Sequence, residues 1–500
     1  MGETVSLPIP VFNGSIRIEA RADRLTSDAG TLPIREAMER LGLLDWMLGR
    51  LTDPRKQVQV THPLGELLTT SLLLNAQGWR DQDDADTLRE DPGFVLATSE
   101  KRGDAPLVGQ SGKEVEPKKP KGLASQPTLS RLVELLSVEG NRQVLRESLV
   151  VSAGRRIRGM RGHRYHRVMV DLDSLPIEVE GHQEGSEHNG HYHARIFHPL
   201  VASLGETGDL LDVQLRPGNV HTANGALDFI LPLLDRVERE IAVVAAVRID
   251  AGFPAEEFCF GLEQRGTHYV ARIRNNAVLD RMALPYLDRH TGDIDEAYVE
   301  EVLGVREPSE PRTWLYEETY QADSWSRARR VVLVVQNRPG ELLPHHFWLL
   351  TSWTAQETPS WPLLKTYRGR GSAEGAMGEL MDVLQPALSS SNRTKSHYRG
   401  KKPENQKDPR DSFAANEVLL LLSALSYNLM HVIRTLLEAG TKEGWSLKRV
   451  REQVLKVAAR FLLHSRYITV VIASSAAHSW AVLWRQFQKM NRRWPLPGCA

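Results

Sequence analysis

Two apolar runs constrain this chain more than any other feature. R-V-M-V-D-L-D-S, residues 167–174, is a short apolar strand that closes on two acids. I-A-V-V-A-A-V-R-I-D-A-G-F, residues 241–253, is a second strand, terminated by Asp250. Between them, 195–217 reads as further strands ending at R-P-G-N, and 223–240 reads as a helix. Strand, strand, helix, strand, with acids at the strand ends, predicts a mixed α/β core.

The flanking segments differ in character. Residues 1–30 suggest one or two short strands, and helical patterning begins near Leu32, with a further helix over 63–76 and short helices through 82–98. The Lys-, Gly- and Pro-rich stretch near 99–124 is a linker. After it, S-Q-P-T-L-S-R-L-V-E-L-L starts a helix, with Ser125 or Thr128 as cap and Pro127 in the first turn. These helices make either a plain helical domain or one that reads DNA. Residues 260–360 hold the β-like runs HYVARIR, RTWLYEETY, RRVVLVVQ and HHFWLLTSW, with few helical candidates. Beyond Glu374 the pattern is helical again, apart from the basic stretch 391–411, and 447–461 reads as a basic amphipathic helix.

Composition narrows the function classes. The 500 residues suit about two to four domains. A formal net charge of zero argues against a wholly basic binding protein and leaves room for a local basic face. Two cysteines, Cys259 and Cys499, are too few for a disulfide framework or a cysteine zinc site, and a reducing compartment fits them. M-G-E-T-V-S-L-P-I-P carries no secretion signal. The apolar runs 413–430 and 468–485 are interrupted by Asn416, Glu417, Ser474, Ser475 and His478, so both read as core helices rather than membrane spans. Neither G-x-x-x-x-G-K-[ST] nor G-x-G-x-x-G occurs, so no nucleotide cofactor is expected.

Three acidic positions carry chemistry. Asp171 and Asp173 are two apart in a strand and share one face. Asp250 ends its strand ahead of Gly252, where a flexible turn suits close approach of a ligand. Glu374 opens a helix behind Y-R-G-R-G-S-A. Three such carboxylates suit two divalent cations, one activating the attacking oxygen and one stabilising the leaving oxygen, with Mg²⁺ the fitting hard ion. The bland alternative is a set of turn acids, with Glu374 paired to Arg370 at i,i+4. Tyr367, Arg368 and Arg370 are candidate phosphate contacts. The histidines at 182, 188, 191, 193 and 198 lack the cysteines or H-E-x-x-H spacing of a zinc site and suit a polar loop and strand that faces nucleic acid, with His191 and His193 on one strand face.

At these residues the chain resembles a known family. Y-x-x-R-x-x-x-E over 367–374 looks like the third-acid signature of the IS4-type DDE transposases of bacterial insertion sequences. That signature continues, after six intervening residues, to a lysine; Met381 stands there instead. The resemblance is to the IS1380-like branch and includes L-A-S-Q-P-T-L-S-R-L at 123–132, V-D-L-D-S at 170–174 and G-H-Q-E-G at 181–185. It continues through L-R-P-G-N-V-H at 215–221, V-R-I-D-A-G-F at 247–253, Y-V-A-R-I-R-N-N at 269–276 and F-A-A-N-E-V-L-L-L-L-S-A-L-S-Y-N-L at 413–429.

The resemblance implies a ribonuclease-H-like mixed-sheet catalytic core with a β-rich insertion, flanked by helical N- and C-terminal regions. Its layout would be a DNA-binding region over 1–150, core over 160–259, insertion over 260–360, core with the third acid over 361–435, and a basic helical region over 436–500. Asp173, Asp250 and Glu374 would be the catalytic, metal-holding acids, with Asp171 as the alternative first acid because the threonine usual after that acid is missing here. Tyr367, Arg368 and Arg370 would contact DNA phosphate. The implied activity is Mg²⁺-dependent cleavage at element ends followed by strand transfer, with Mn²⁺ as a substitute and double-stranded DNA, inverted repeats and target, as partner. A dimer on DNA, a cytoplasmic location and no membrane are implied with it. The rival readings are a nuclease without strand transfer and a catalytically inactive DNA-binding relative.

Overall fold

The computed structural model describes residues 5–6, 11–13, 15–16, 19–20, 23–99, 122–161, 165–179, 181, 183–289, 312–337, 343–389, 412–464 and 467–490. The basic stretch 391–411, most of the linker near 99–124, His182 and Cys499 lie outside them. The chain divides into two compact units, Met1–Ser148 with Glu379–Ala387 and Leu425–Ala500, and Leu149–Gly378 with Leu388–Ala424.

The second unit is built on an eight-stranded mixed sheet. Its strands are β1 Arg167–Ser174, β2 Leu200–Leu204, β3 Leu210–Gln214, β4 Val243–Ile249, β5 His268–Ile273, β6 Arg312–Tyr320, β7 Arg329–Asn337 and β8 His345–Thr351, in the order β6-β7-β8-β5-β4-β1-β2-β3. β4 runs parallel to both β1 and β5, and every other pairing is antiparallel. All four β-like runs of 260–360 are strands. They lengthen the central sheet rather than form a separate one, because β8 hydrogen-bonds to β5. This stretch also holds a helix the sequence did not announce, Ala277–Leu287, capped by the Asn276 side chain.

Strand alternation sorts the side chains onto two faces. Val168, Val170 and Leu172 of β1, with Val247 and Ile249 of β4, join one apolar cluster. It is covered by α1 Ala226–Glu240, through Phe229, Ile230, Leu233, Leu234 and Val237, and by α2 Glu256–Arg265, through Phe258 and Leu262. Val270, Val332, Val334 and Leu349 join a second cluster, which receives Leu363 and Leu364 of α3 Ser360–Arg368. Truncating either leucine to alanine removes about 2–5 kcal/mol of packing, so α3 is firmly seated. Asp171, Asp173 and Arg248 occupy the positions on β1 and β4 that alternate with the first cluster.

The first unit is mostly helical, with Thr31–Leu41, Leu43–Leu48, Leu64–Gln77, Pro92–Ala97 and Gln126–Leu136 among its helices. Pro127 does sit in the first turn of the last of these. Two expectations are corrected here. The helix expected over 447–461 stops at Leu455, and Ala459–Leu463 is a strand pairing with Ile468–Ile472 and with Leu25–Thr26. The run 468–485 is therefore strand first and helix only from Ala477. The cause is tertiary: Leu25–Thr26 offers a backbone edge to Ala459 and Arg460, which local periodicity does not reveal. Among the described residues one helix, Ser412–Thr441, is long and apolar enough to cross a membrane, and most of that apolar stretch is buried inside the protein.

Candidate active site

Asp171 and Asp173 share a strand face and have different surroundings. Arg248 stands directly beside Asp171 on parallel strand β4. Its Nε and Nη2 donate to the two carboxylate oxygens of Asp171, each at 2.5 Å. Both side chains are buried. Burial raises the Asp171 carboxyl above its ordinary range, while Arg248 opposes that rise. The remaining arm of the same guanidinium, Nη1, donates to the Thr366 carbonyl in the last turn of α3 at 3.1 Å. A Cβ on Gly369 would collide with Nη1, and one on Gly205 would lie 2.6 Å from Nη2. Asp171 is thus committed to holding Arg248, and Arg248 ties the end of α3 to the sheet.

That tie positions the next residues. Arg370 follows α3 and precedes α4 Gly371–Glu379, which carries Glu374 in its first turn. Arg370 donates from Nη2 to Asp173 Oδ2, and from Nη1 to Glu374 Oε1 at 2.6 Å. Asp173 Oδ1 accepts the Ser174 amide at 2.8 Å. Burial pushes the Asp173 carboxyl up to about 6, and Asp250 and Glu374 add to the rise against Arg370 and the Ser174 amide. The carboxylates of Asp250 and Glu374 therefore both lie within electrostatic reach of Asp173. Asp250 ends β4 in a turn closed by its own Oδ1, which accepts the Gly252 amide at 2.8 Å. Burial also lowers the Arg370 guanidinium's tendency to stay charged, yet Asp173 and Glu374 more than restore it, leaving its pKa raised.

Asp173, Asp250 and Glu374 are hard oxygen donors that repel one another, the chemistry a divalent cation relieves. As arranged, no three His, Cys, Asp or Glu side chains among the described residues stand close enough to share a metal ion. Glu374, whose side chain is 60% exposed, is instead engaged by Arg370. The chemistry of the donor set suits a hard divalent cation, while its spacing here is that of an acid pair bridged by Arg370.

Tyr367 is half-buried against the second apolar cluster, and burial raises its hydroxyl above the ordinary range. Arg368 is exposed on the outer side of α3. Met381 is half-buried in the π-helical turn Leu380–Leu384.

The histidine-rich segment is a hairpin, Glu187–Asn189 with Ala194–Phe197, and His191 and His193 fall in its turn rather than on a strand face. Tyr192, at that turn, feels the charges of Asp173 and Asp250, and its ring meets His198 edge-on at 5.9 Å. His198 is buried, with Nδ1 3.0 Å from the Val220 carbonyl and Nε2 without a hydrogen-bond partner among the described residues. Neither Tyr192 nor Arg248 was singled out from sequence. Arg248 was visible as a charged residue inside an apolar strand, a signal that calls for a buried partner. Tyr192 carried no local signal. Arg216 of R-P-G-N-V-H is likewise buried, and its Nη1 gathers the carbonyls of Thr222 and Asn224 at 3.0 and 2.7 Å.

Among curated proteins none matches this chain. Among solved structures, the piggyBac transposase synaptic complex with hairpin DNA, determined by cryo-EM, is similar at a TM-score of 0.37 and 11% identity, over 86% of this chain and 80% of that one. The pattern of the transposase DDE domain, group 1, matches residues 9–493, nearly the whole chain, and the protein belongs to that transposase family.

Proposed function

We propose that this protein is a cut-and-paste DNA transposase of an insertion sequence, in the IS1380-like branch of the IS4-type enzymes, with a ribonuclease-H-like core. Asp173, Asp250 and Glu374 are its catalytic acids. The observation that carries this is the pairing of Arg370 with both Asp173 and Glu374 while Asp171 is taken by Arg248. Of the two aspartates on β1, Asp173 is the one that shares a hydrogen-bonding partner with the third acid among the described residues.

Mg²⁺ held by these carboxylates, as two ions or with Mn²⁺ in its place, would activate the attacking oxygen and stabilise the leaving one. The chain's own residues orient the DNA. Arg370 and Arg368 suit bidentate phosphate contact, with Tyr367 beside them. Water attacks the phosphodiester at the element end, and the freed 3′-hydroxyl attacks the opposite strand or the target. Two ends must be held at once, so the working form is a dimer on double-stranded DNA, with the N-terminal helices and the basic C-terminal region gripping the inverted repeats. The enzyme acts in the cytoplasm and needs no nucleotide cofactor.

The test is purified protein with DNA bearing the inverted repeats that flank its gene, Mg²⁺ and a target duplex. Nicked ends and joined target products are expected from the parent, and neither from Asp250→Ala or Glu374→Ala. Cleavage without joining would make it a nuclease. Binding without Mg²⁺-dependent cleavage would make it an inactive relative. Cleavage by the two variants at the parental rate would remove these acids from the site.

A further inference from the structure

We propose that Arg370 is a gate on cation binding that DNA opens: its guanidinium holds Asp173 and Glu374 until a DNA phosphate draws it away and leaves both carboxylates to a divalent cation. This rests on the reading of Asp173, Asp250 and Glu374 as cation-holding acids.

One guanidinium bonds two carboxylates brought from different elements, β1 and α4. The arginine side chain is only 11% exposed, so its neutralising contacts are with these acids rather than with water. A cation and a guanidinium make competing claims on the same oxygens. A positive charge left within a few ångströms of a divalent ion is also strongly repelled, since the interaction scales inversely with distance and with the low local dielectric. Arg370 must therefore move before a cation can settle on Asp173 and Glu374.

A phosphodiester supplies somewhere for it to go. The planar fork that now spans two carboxylates matches two phosphate oxygens equally well. DNA and cation then favour the same state, with Arg370 off the acids. Two ligands that favour one state bind cooperatively, and each raises the other's affinity by the same factor. The consequence is that the acids load with metal chiefly on bound DNA.

The experiment is Mn²⁺ titration of the full chain, following the free-ion electron paramagnetic resonance signal. It compares the parent, Arg370→Gln, Arg370→Lys and Asp250→Ala, with and without end-bearing DNA, and with DNA alone as blank. Without DNA, Arg370→Gln should bind Mn²⁺ about 5- to 150-fold more tightly than the parent, the usual span of such couplings. DNA should tighten Mn²⁺ binding by the parent more than by Arg370→Gln, in which only the phosphate's own contact with the cation remains. Arg370→Lys keeps the charge but loses the two-pronged bridge, and should fall between the two. Equal Mn²⁺ affinity for all three, or equal tightening by DNA in parent and Arg370→Gln, overturns the gate. Arg370→Lys binding as the parent, whatever Arg370→Gln does, overturns the bridge as the cause. Asp250→Ala reports separately: if it binds Mn²⁺ as the parent does, the acid assignment itself fails.

Discussion

Arg248 reaches across one strand spacing to bind both oxygens of Asp171 at 2.5 Å, and its third arm holds the Thr366 carbonyl. A buried pair of this kind gives its full effect only when one partner is removed, because the other charge is then stranded in a medium that cannot solvate it. Asp171→Ala should therefore destabilise the protein by about 3–5 kcal/mol, and Asp171→Asn by less. Denaturant unfolding measures this. In the same preparations Asp171→Asn should retain measurable DNA cleavage and Asp173→Asn should not. Equal loss in both would put Asp171 in the chemistry.

Gly369 tests how tightly that arrangement is packed. Its backbone is ordinary helical, φ −59° and ψ −15°, so alanine is conformationally acceptable and would normally stabilise by restricting the unfolded chain. Here the added methyl meets the Arg248 guanidinium. Gly369→Ala should cost about 1–3 kcal/mol instead of gaining, as overpacked sites do. It should also lower cleavage, because Arg370 is the next residue. A raised melting temperature with full activity would show the contact to be slack.

The Asp173 carboxyl, pushed up to about 6 by burial and by the facing Asp250 and Glu374, links activity to pH. A protonated carboxyl is a poor cation ligand, so cleavage should fall as pH drops through that value, and more Mg²⁺ should move the midpoint lower. Rate profiles at two Mg²⁺ concentrations report this, and a midpoint indifferent to Mg²⁺ would assign the titration elsewhere. Stability runs the opposite way. Between the ordinary 3.8 and about 6 the group is neutral only when folded, so its contribution is lost as pH rises through that window. Asp173→Asn should melt higher than the parent at neutral pH, with the advantage vanishing below the ordinary carboxylate pKa.

Met381 occupies the position where the resembled signature has lysine, in a π-helical turn with its side chain half-buried. Met381→Lys should leave cleavage of end DNA unchanged or raise it, because a lysine's apolar stem can follow the methionine's path while its ammonium reaches solvent or phosphate. Initial cleavage rates at fixed Mg²⁺ decide this. A clear loss would show that the position does not face the substrate.

Sequence by itself determined the central strands, since apolar runs as dense as 167–174 and 241–249 have few other fates, and alternation alone placed Asp171 and Asp173 on one face. It also put Arg370 and Glu374 within one helical turn of each other. It could not choose between the two aspartates, because their difference lies in what stands beside them. Those surroundings follow from the parallel register of β4 on β1, which sets Arg248 opposite Asp171, and from Arg370, 197 positions away in the chain, which pairs with Asp173. The strand at Ala459–Leu463 and the electrostatic influence of Asp173 and Asp250 on Tyr192 likewise come only from tertiary structure. In each case the deciding partner is remote in sequence, so its hydrogen bonds and charges leave no local trace in composition or periodicity.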